Sequence, residues 1–317
     1  MAIQPITIYV NGQELEGWKS FNVTRSIVSF CGSFSLVTTN RTNFPLRIFT
    51  DIKVLINGKV VMNGYINRIT KNKSVSGESG THDITVSGSD NTIDLQQSSM
   101  AEGITINASG LTFKQLIEAV LKKLNFSNVK VIDEVGDVET FKAVEDIYSD
   151  YGTKYYDFLE TYARQRQVLL NTNREGNIVI RRANLTKALN TIVDGDNSNT
   201  TNGYISKTIN MDGTKIFYKY ICYSIYADIL DEIGVSDESK YLFVHKESTE
   251  NIEAIRKTRI EVFQAESVTD SLNLQRRADW EKSFRRSEAY QPEYKVQGFS
   301  PADDKEELWD VNQLLQF

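Results

Sequence analysis

The side chains that could do chemistry in this 317-residue chain are few and scattered. Its two histidines, His82 and His245, stand alone, and neither has His, Cys or acidic neighbours at the spacing a metal site requires. They read as surface or structural residues, because a catalytic imidazole works only beside a nucleophile and an orienting group. Two cysteines cannot build a disulfide framework or a four-thiolate zinc site. Cys31 precedes Gly32 in a strand-rich stretch and Cys222 lies in an aromatic strand. Both positions suit a small buried hydrophobe better than a nucleophile. The phosphate-cradling GxxxxGK[ST] and GxGxxG loops, the GxSxG nucleophile turn and the HExxH zinc helix are absent. No catalytic, cofactor-binding or metal-ligating residue is therefore assigned.

Carboxylates are the resource in surplus: Asp146, Asp150, Asp157, Glu160, Asp228, Asp231 and Glu232 among them. Two suitably spaced acids leave no local mark in sequence, so a peptidoglycan hydrolase or glycosidase stays open as an alternative to plain solvated faces. Asp194-Gly195-Asp196 starts like a calcium loop, but its twelfth position is Ile205 where a glutamate is needed. The basic pairs Arg181-Arg182, Arg276-Arg277 and Arg285-Arg286 read as ion-pair partners at a protein interface. Thirty-six Lys and Arg against 42 Asp and Glu give a net charge of −6, which disfavours phosphate binding by counterion release. No stable nucleic-acid binding is expected. Nor is membrane insertion, since no stretch approaches the ~20 apolar residues of a spanning helix and the first residues lack a signal-peptide layout. The aromatic run Phe217 to Tyr226 is a second alternative, a glycan-stacking platform, although its alternation with apolar residues fits a core or interface strand.

The elements that would position these groups change character along the chain. Residues 6–10, 21–27, 32–37, 52–56, 60–62, 64–66 and 84–88 alternate apolar with polar, and Asn11-Gly12 and Asn57-Gly58 supply tight hairpin turns. Residues 71–80 read as a polar loop. At Thr112 the period becomes helical. Thr112 and Gln115 form a capping-box pattern, and Phe113, Leu116, Ile117, Val120, Leu121 and Leu124 fall on one face. A strand over 129–132, a second helix from about Thr153 to Gln167 and a hairpin turning at Glu175-Gly176 complete an α+β module. Residues 194–203 are almost free of apolar side chains and read as a linker or long loop. Strand patterns then return at 204–209, 215–226, 243–247, 258–264 and 294–298, interrupted by a charged helix over 269–289 carrying Leu272, Arg276, Trp280 and Phe284. The fold class is mainly β with an α+β insertion. Its expected domains are a first β part at 1–103, a small barrel or sandwich, the middle module at 104–193, the linker at 194–203 and a second β-rich part at 204–317 with the charged helix.

These motifs resemble one family in order and over nearly the whole chain. Gly17-Trp18, Val23 to Ile27, Gly32 to Leu36, Gly64-Tyr65-Ile66 and Gly88 to Leu95 are similar to the N-terminal pattern of the phage Mu-type baseplate hub protein, the gpP-like contractile-tail family. Tyr155 to Gln165, Arg256 to Ile260, Arg277 to Glu281 with Arg285, Val296 to Phe299 and Leu308 to Asn312 continue the match. The resemblance implies two tail-tube-like antiparallel β-barrels in one subunit and a homotrimeric, pseudo-sixfold ring. That ring would join the tail tube protein to the threefold central spike and enclose the channel for DNA and tape-measure protein. It also implies contacts with baseplate wedge proteins, a place in the virion after assembly in the host cytoplasm, and no enzymatic role. The motif residues carried over, all structural, are Trp18, Arg25, Phe34, Gly64, Gly88, Asp94, Leu159, Arg256, Trp280, Arg285 and Trp309. Two departures stand out. Ser89 replaces an arginine common in the family, and the family runs on into further strands where this sequence ends at Phe317, which leaves the completeness of the second barrel open.

Overall fold

Apolar and polar side chains that alternate along short strands fold into a sheet with one wet face and one dry face. The first ninety residues do this. In the computed structural model the described residues are 5–27, 29–39, 46–76, 79–100, 105–126, 128–136, 140–141, 146–182, 190–191, 204–225, 243–265, 271–296, 298–300, 308–311 and 315–316. Strands β1 (Ile6–Val10), β2 (Gln13–Glu14), β3 (Trp18–Thr24), β4 (Ser33–Thr39), β5 (Asp51–Ile56), β6 (Lys59–Ser76) and β7 (Ser79–Asp90) form one sheet in the order β2-β1-β5-β6-β7-β4-β3. Every neighbouring pair is antiparallel, and the sheet curls into a half-barrel. Asn11-Gly12 and Asn57-Gly58 have positive φ at both residues, as two-residue hairpins need. The inward side chains, including Ile8, Phe34, Leu36, Val54, Met62, Ile66 and Val86, make a single core.

The expected polar loop at 71–80 is not a loop at its described ends. Residues 71–76 continue β6 and residues 79–80 begin β7, so the hairpin runs past its neighbours: β4 stops opposite Asp83. Strand pairing beyond the sheet's edge has no core to face. Its residues therefore lack the apolar alternation by which a strand is recognised.

Helix α1 (Ile93–Gln97), β8 (Thr105–Asn107), α2 (Phe113–Lys123), β9 (Val131–Asp133), β10 (Asp146–Tyr148), α3 (Tyr155–Gln165), β11 (Leu169–Thr172), β12 (Ile178–Arg181) and β13 (Asn190–Thr191) follow. The capping box at the start of α2 is closed in both directions. The Thr112 N–H donates to Gln115 Oε1 at 2.8 Å, and the Gln115 N–H donates to Thr112 Oγ1 at 3.3 Å. Phe113, Leu116, Ile117, Val120 and Leu121 are buried, as their spacing predicts. β12 pairs antiparallel with β11 and parallel with β9.

The chain divides into two units: Met1–Glu160 with Leu169–Ile192 and Gly298–Phe317, and Thr161–Val168 with Val193–Gln297. The second unit holds β14 (Tyr204–Met211), β15 (Lys219–Ile225), β16 (Phe243–Thr249), β17 (Ile260–Gln264), α4 (Ser271–Ala289) and β18 (Tyr290–Val296). β14 and β18 form a two-stranded ribbon, while β15 pairs antiparallel with β16 and parallel with β17. One face of the three-stranded sheet is covered by α4, where Leu274 and Ala278 meet Cys222, Phe263 and Ala265. Arg277 and Glu281 lie on this buried stripe, whereas Arg276 is exposed. The expected linker at 194–203 lies outside the described residues. The last strand, β19 (Leu315–Gln316), pairs in parallel with β13, and Leu308 enters the core of the first unit's sheet. The architecture is mainly β with an α+β insertion.

Candidate functional site

Within the first unit, one buried carboxylate ties together segments far apart in sequence. Asp90 ends β7 and is wholly buried. Its Oδ2 accepts the Gly32 N–H at 2.7 Å and the Thr172 hydroxyl. Its Oδ1 accepts the Thr92 N–H at 3.2 Å and the Thr92 hydroxyl at 2.5 Å. Arg25, just past β3, donates through Nη2 to the Thr172 carbonyl. Burial pushes the Arg25 guanidinium below its ordinary value, and Asp90 and Asp310 draw it back up. The hairpin of β11 and β12 is fastened at further points. Asn171 Nδ2 donates to the Ile27 carbonyl at 3.1 Å, and Asn63 Nδ2 donates to the Glu175 carbonyl at 3.0 Å.

Arg174, at the tip of that hairpin, holds the C-terminal segment. It donates to the Leu308 and Trp309 carbonyls at 2.8 Å each and pairs with Asp310 at 3.0 Å. A groove of about 400 Å³ beside it is lined by Phe21, Val23, Arg25, Phe299 and Trp309. An enclosed carboxylate whose two oxygens already accept four bonds has no vacant lone pair aimed at a substrate. The arrangement locks sheet, hairpin and tail into one body.

The motif residues read from sequence fall in both units. In the first, Phe34 is in the core and Trp18 packs half-buried against it. A Cβ on Gly64 would lie 2.0 Å from the Ser89 carbonyl oxygen; one on Gly88 would lie 2.0 Å from the Tyr65 oxygen and 2.6 Å from the Phe34 ring. Only glycine fits either place. Asp94 accepts the Tyr65 hydroxyl at 2.6 Å, and burial together with that bond pushes the Tyr65 hydroxyl up. Leu159 is buried in α3, and Trp309 lies in the segment held by Arg174.

In the second unit Arg256 is exposed in the turn before β17. Trp280 stacks on Phe284 at 5.2 Å with planes 6° apart, and the Arg277 guanidinium lies 4.8 Å over the Trp280 ring. Arg285 pairs with Glu281 at 2.9 Å and reaches Glu261 at 3.8 Å. Arg277 also pairs with Glu281 at 2.9 Å, and Arg286 with the buried Glu250. The basic pairs expected at a protein interface thus contribute ion pairs within the chain, Arg181 included, which meets Glu134 at 2.9 Å.

Other candidates lose their chemistry. Burial, reinforced by Asp90, pushes the Cys31 thiol up to about 12, the reverse of an activated thiolate. Tyr220 is fully buried and its oxygen accepts the Phe217 N–H at 3.0 Å, so its ring offers no stacking face to a glycan. Among the described residues no cluster of three His, Cys, Asp or Glu could hold a metal ion, and no helix is long and apolar enough to cross a membrane. The sequence motifs include Asp90 and Asp310 without giving either a role, and they do not include Thr172 or Arg174. Asp90 carried the only local signal, an Asp two residues before a Thr at a strand-to-helix turn, where a side chain can accept backbone N–H groups.

Residues 5–90 match the family model for the Mu phage baseplate assembly protein GpP-like, N-terminal domain. The chain is 26% identical to baseplate hub protein gp44 of Escherichia phage Mu over 314 residues, covering 98% of this chain and 78% of that protein. The 43 kDa tail protein of prophage MuSo2 from Shewanella oneidensis superposes with a TM-score of 0.75 at 25% identity, over 98% of this chain and 87% of that one. The tail protein of Neisseria meningitidis MC58 shares the fold, with a TM-score of 0.76 at 15% identity over 98% and 85%. The chain thus shares the fold of these phage tail proteins and is similar in sequence to a phage baseplate protein. More narrowly, residues 5–90 are similar to the Mu GpP-like N-terminal model, and nearly the whole chain is similar to the phage Mu baseplate hub protein.

Proposed function

We propose that three copies of this chain form the central hub of a contractile-tail baseplate, a ring of pseudo-sixfold symmetry. The observation that carries this reading is one chain folded as two β-rich units, in a sequence similar to a Mu baseplate hub protein. Three copies then offer six β units to a sixfold tail tube, while the threefold axis suits a trimeric spike. The channel on that axis passes DNA and tape-measure protein, and the rim meets the wedge proteins. Assembly takes place in the host cytoplasm. The domains work as a first barrel stiffened by the middle module, a linker at 194–203, and a second β unit that completes the ring. The motif residues, Arg25, Gly64, Gly88 and Trp280 among them, act in packing, and no step of catalysis is assigned. The acidic net charge supports a conduit for DNA, since a wall that held phosphates would retain the genome.

Light scattering on the purified full chain tests the stoichiometry. Three copies of a 36.1 kDa chain should elute at about 108 kDa, alone or with tube and spike proteins. A strict monomer under both conditions overturns the reading.

A further inference from the structure

The sheet of the first unit is open along one side. It ends at β3, and no described residue pairs with the outer edge of that strand. The opposite side ends in the two-residue β2, too short to template another strand. Exposed edges are ordinarily blunted by lysines, prolines or bulges. On β3 the only such devices sit at its start: Lys19, which pairs with Asp83, and the bulge between Trp18 and Ser20. From Ser20 to Thr24 the edge carries no charge, no proline and no bulge. Nothing there prevents a further strand from pairing.

The groove beside Arg174 adjoins this bare stretch. At about 400 Å³ it lies at the small end of ligand sites, ~300–1,000 Å³, with room for a few side chains. Phe21 and Val23 of β3 meet Ile56 and Val61 of the β5–β6 hairpin across it, so its walls are apolar. Its charged groups, among the described residues, are two cations and one anion: Arg25, Arg174 and Asp310. The anion is already held, by Arg174 at 3.0 Å and by the Val311 N–H at 2.8 Å. Three donors on lining residues meet no acceptor: Arg25 Nε, Arg25 Nη1 and Trp309 Nε1. Buried donors without acceptors are costly, so an occupant that brings carboxylate oxygens suits this groove. Neighbouring atoms cover these donors, and an acceptor reaches them through a rotamer change, as is common at interfaces.

We propose that an extended segment of a partner protein adds to β3 as a further strand and lays one face, apolar with a carboxylate, into this groove. Main-chain bonds to the bare edge supply affinity, and every second side chain of the segment supplies specificity. Phe21 and Val23, two positions apart, present one face of β3 to the apolar side chains of the segment. Arg25 and the Trp309 indole N–H take the carboxylate. A second copy paired edge to edge does not meet these demands. It would bring two identical sets of donors together across a two-fold axis, with no acceptor for either. The site lies wholly in the first unit, so it holds however many chains assemble.

Selection of a ribosome-displayed library of short random peptides on the immobilised full-length chain tests this. Enriched peptides should carry an aspartate or glutamate two positions from a valine, isoleucine or leucine. The best aspartate peptide should bind about tenfold tighter than its asparagine version. In hydrogen exchange it should protect amides within residues 18–24. Asn22 is exposed and lines the groove, so its charge can be changed without touching the core. Asn22→Asp should weaken the same peptide about fivefold and Asn22→Arg should strengthen it, with melting unchanged. No enrichment, enriched peptides without acids, protection away from β3, or indifference to both Asn22 variants overturns the proposal. So does a chain that dimerises alone with its β3 amides protected, because the edge is then self-pairing. A chain that stays monomeric with tube and spike proteins yet binds the peptide keeps this site and loses only the ring.

Discussion

Replacing Asp90 by asparagine isolates the joint that makes the first unit one body. The two side chains have nearly the same shape, so packing is conserved and only the chemistry changes. Asparagine keeps one carbonyl oxygen, which can still serve two of the four donors now on Asp90, and turns an NH2 toward the other two. Each buried donor left facing a donor costs about 1–3 kcal/mol. Arg25 at the same time loses the carboxylate that most favours its charge. Two buried donors left facing donors set the expected loss at about 2–6 kcal/mol. With a urea dependence of about 2–3 kcal/mol per molar, the unfolding midpoint of the first unit should fall by roughly 0.7–3 M. Trp18 and Trp309 lie in the first unit and Trp280 in the second, so a Trp280→Phe background reports the first unit alone by fluorescence. Arg25→Met should cost less in the Asp90→Asn background than in the parent, because the two groups are coupled. A midpoint within 0.3 M of the parent (roughly 1 kcal/mol or less) would show that the network does not hold the hairpin to the sheet.

Three further outcomes follow from named contacts. Gly88→Ala should yield no folded protein, or lose upward of about 4 kcal/mol, since the new methyl meets a carbonyl oxygen and the Phe34 ring; soluble expression and a melting curve decide it. Leu308→Ala should destabilise the first unit by about 2–5 kcal/mol in urea, because a tail residue more than two hundred positions distant fills that sheet's core. The Cys31 thiol keeps its proton in the fold up to about pH 12 but loses it near 9 when unfolded, so stability should be complete below pH 9 and fall above it. The loss by pH 10 is about 1–1.5 kcal/mol, and Cys31→Ala should flatten the slope.

Local rules read from residues carried much of the fold. Asn-Gly turns, strand alternation and the Thr112–Gln115 capping box are set by neighbours within a few positions, and the structure has them where the residues predict. Motif glycines were visible as well, although the reason for Gly64 and Gly88, a carbonyl oxygen from the adjacent strand, is a tertiary fact. What stayed hidden depends on distant partners. The β6–β7 hairpin escaped because strands without a core to face need no apolar alternation. The inward stripe of α4 escaped because it is partly ionic, with Arg277 packed between the Phe263 and Trp280 rings and paired to Glu281. The Asp90 joint joins residues 58 to 82 positions apart, a separation that no local pattern encodes.

Imaging the purified full chain, alone and with its tube and spike proteins, most directly tests the central claim that two β units per chain let a trimer face a hexamer. Negative-stain class averages viewed down the axis should show six peripheral lobes around an open centre, from particles of three chains. Three lobes only, a closed centre, or single scattered chains under both conditions would contradict it.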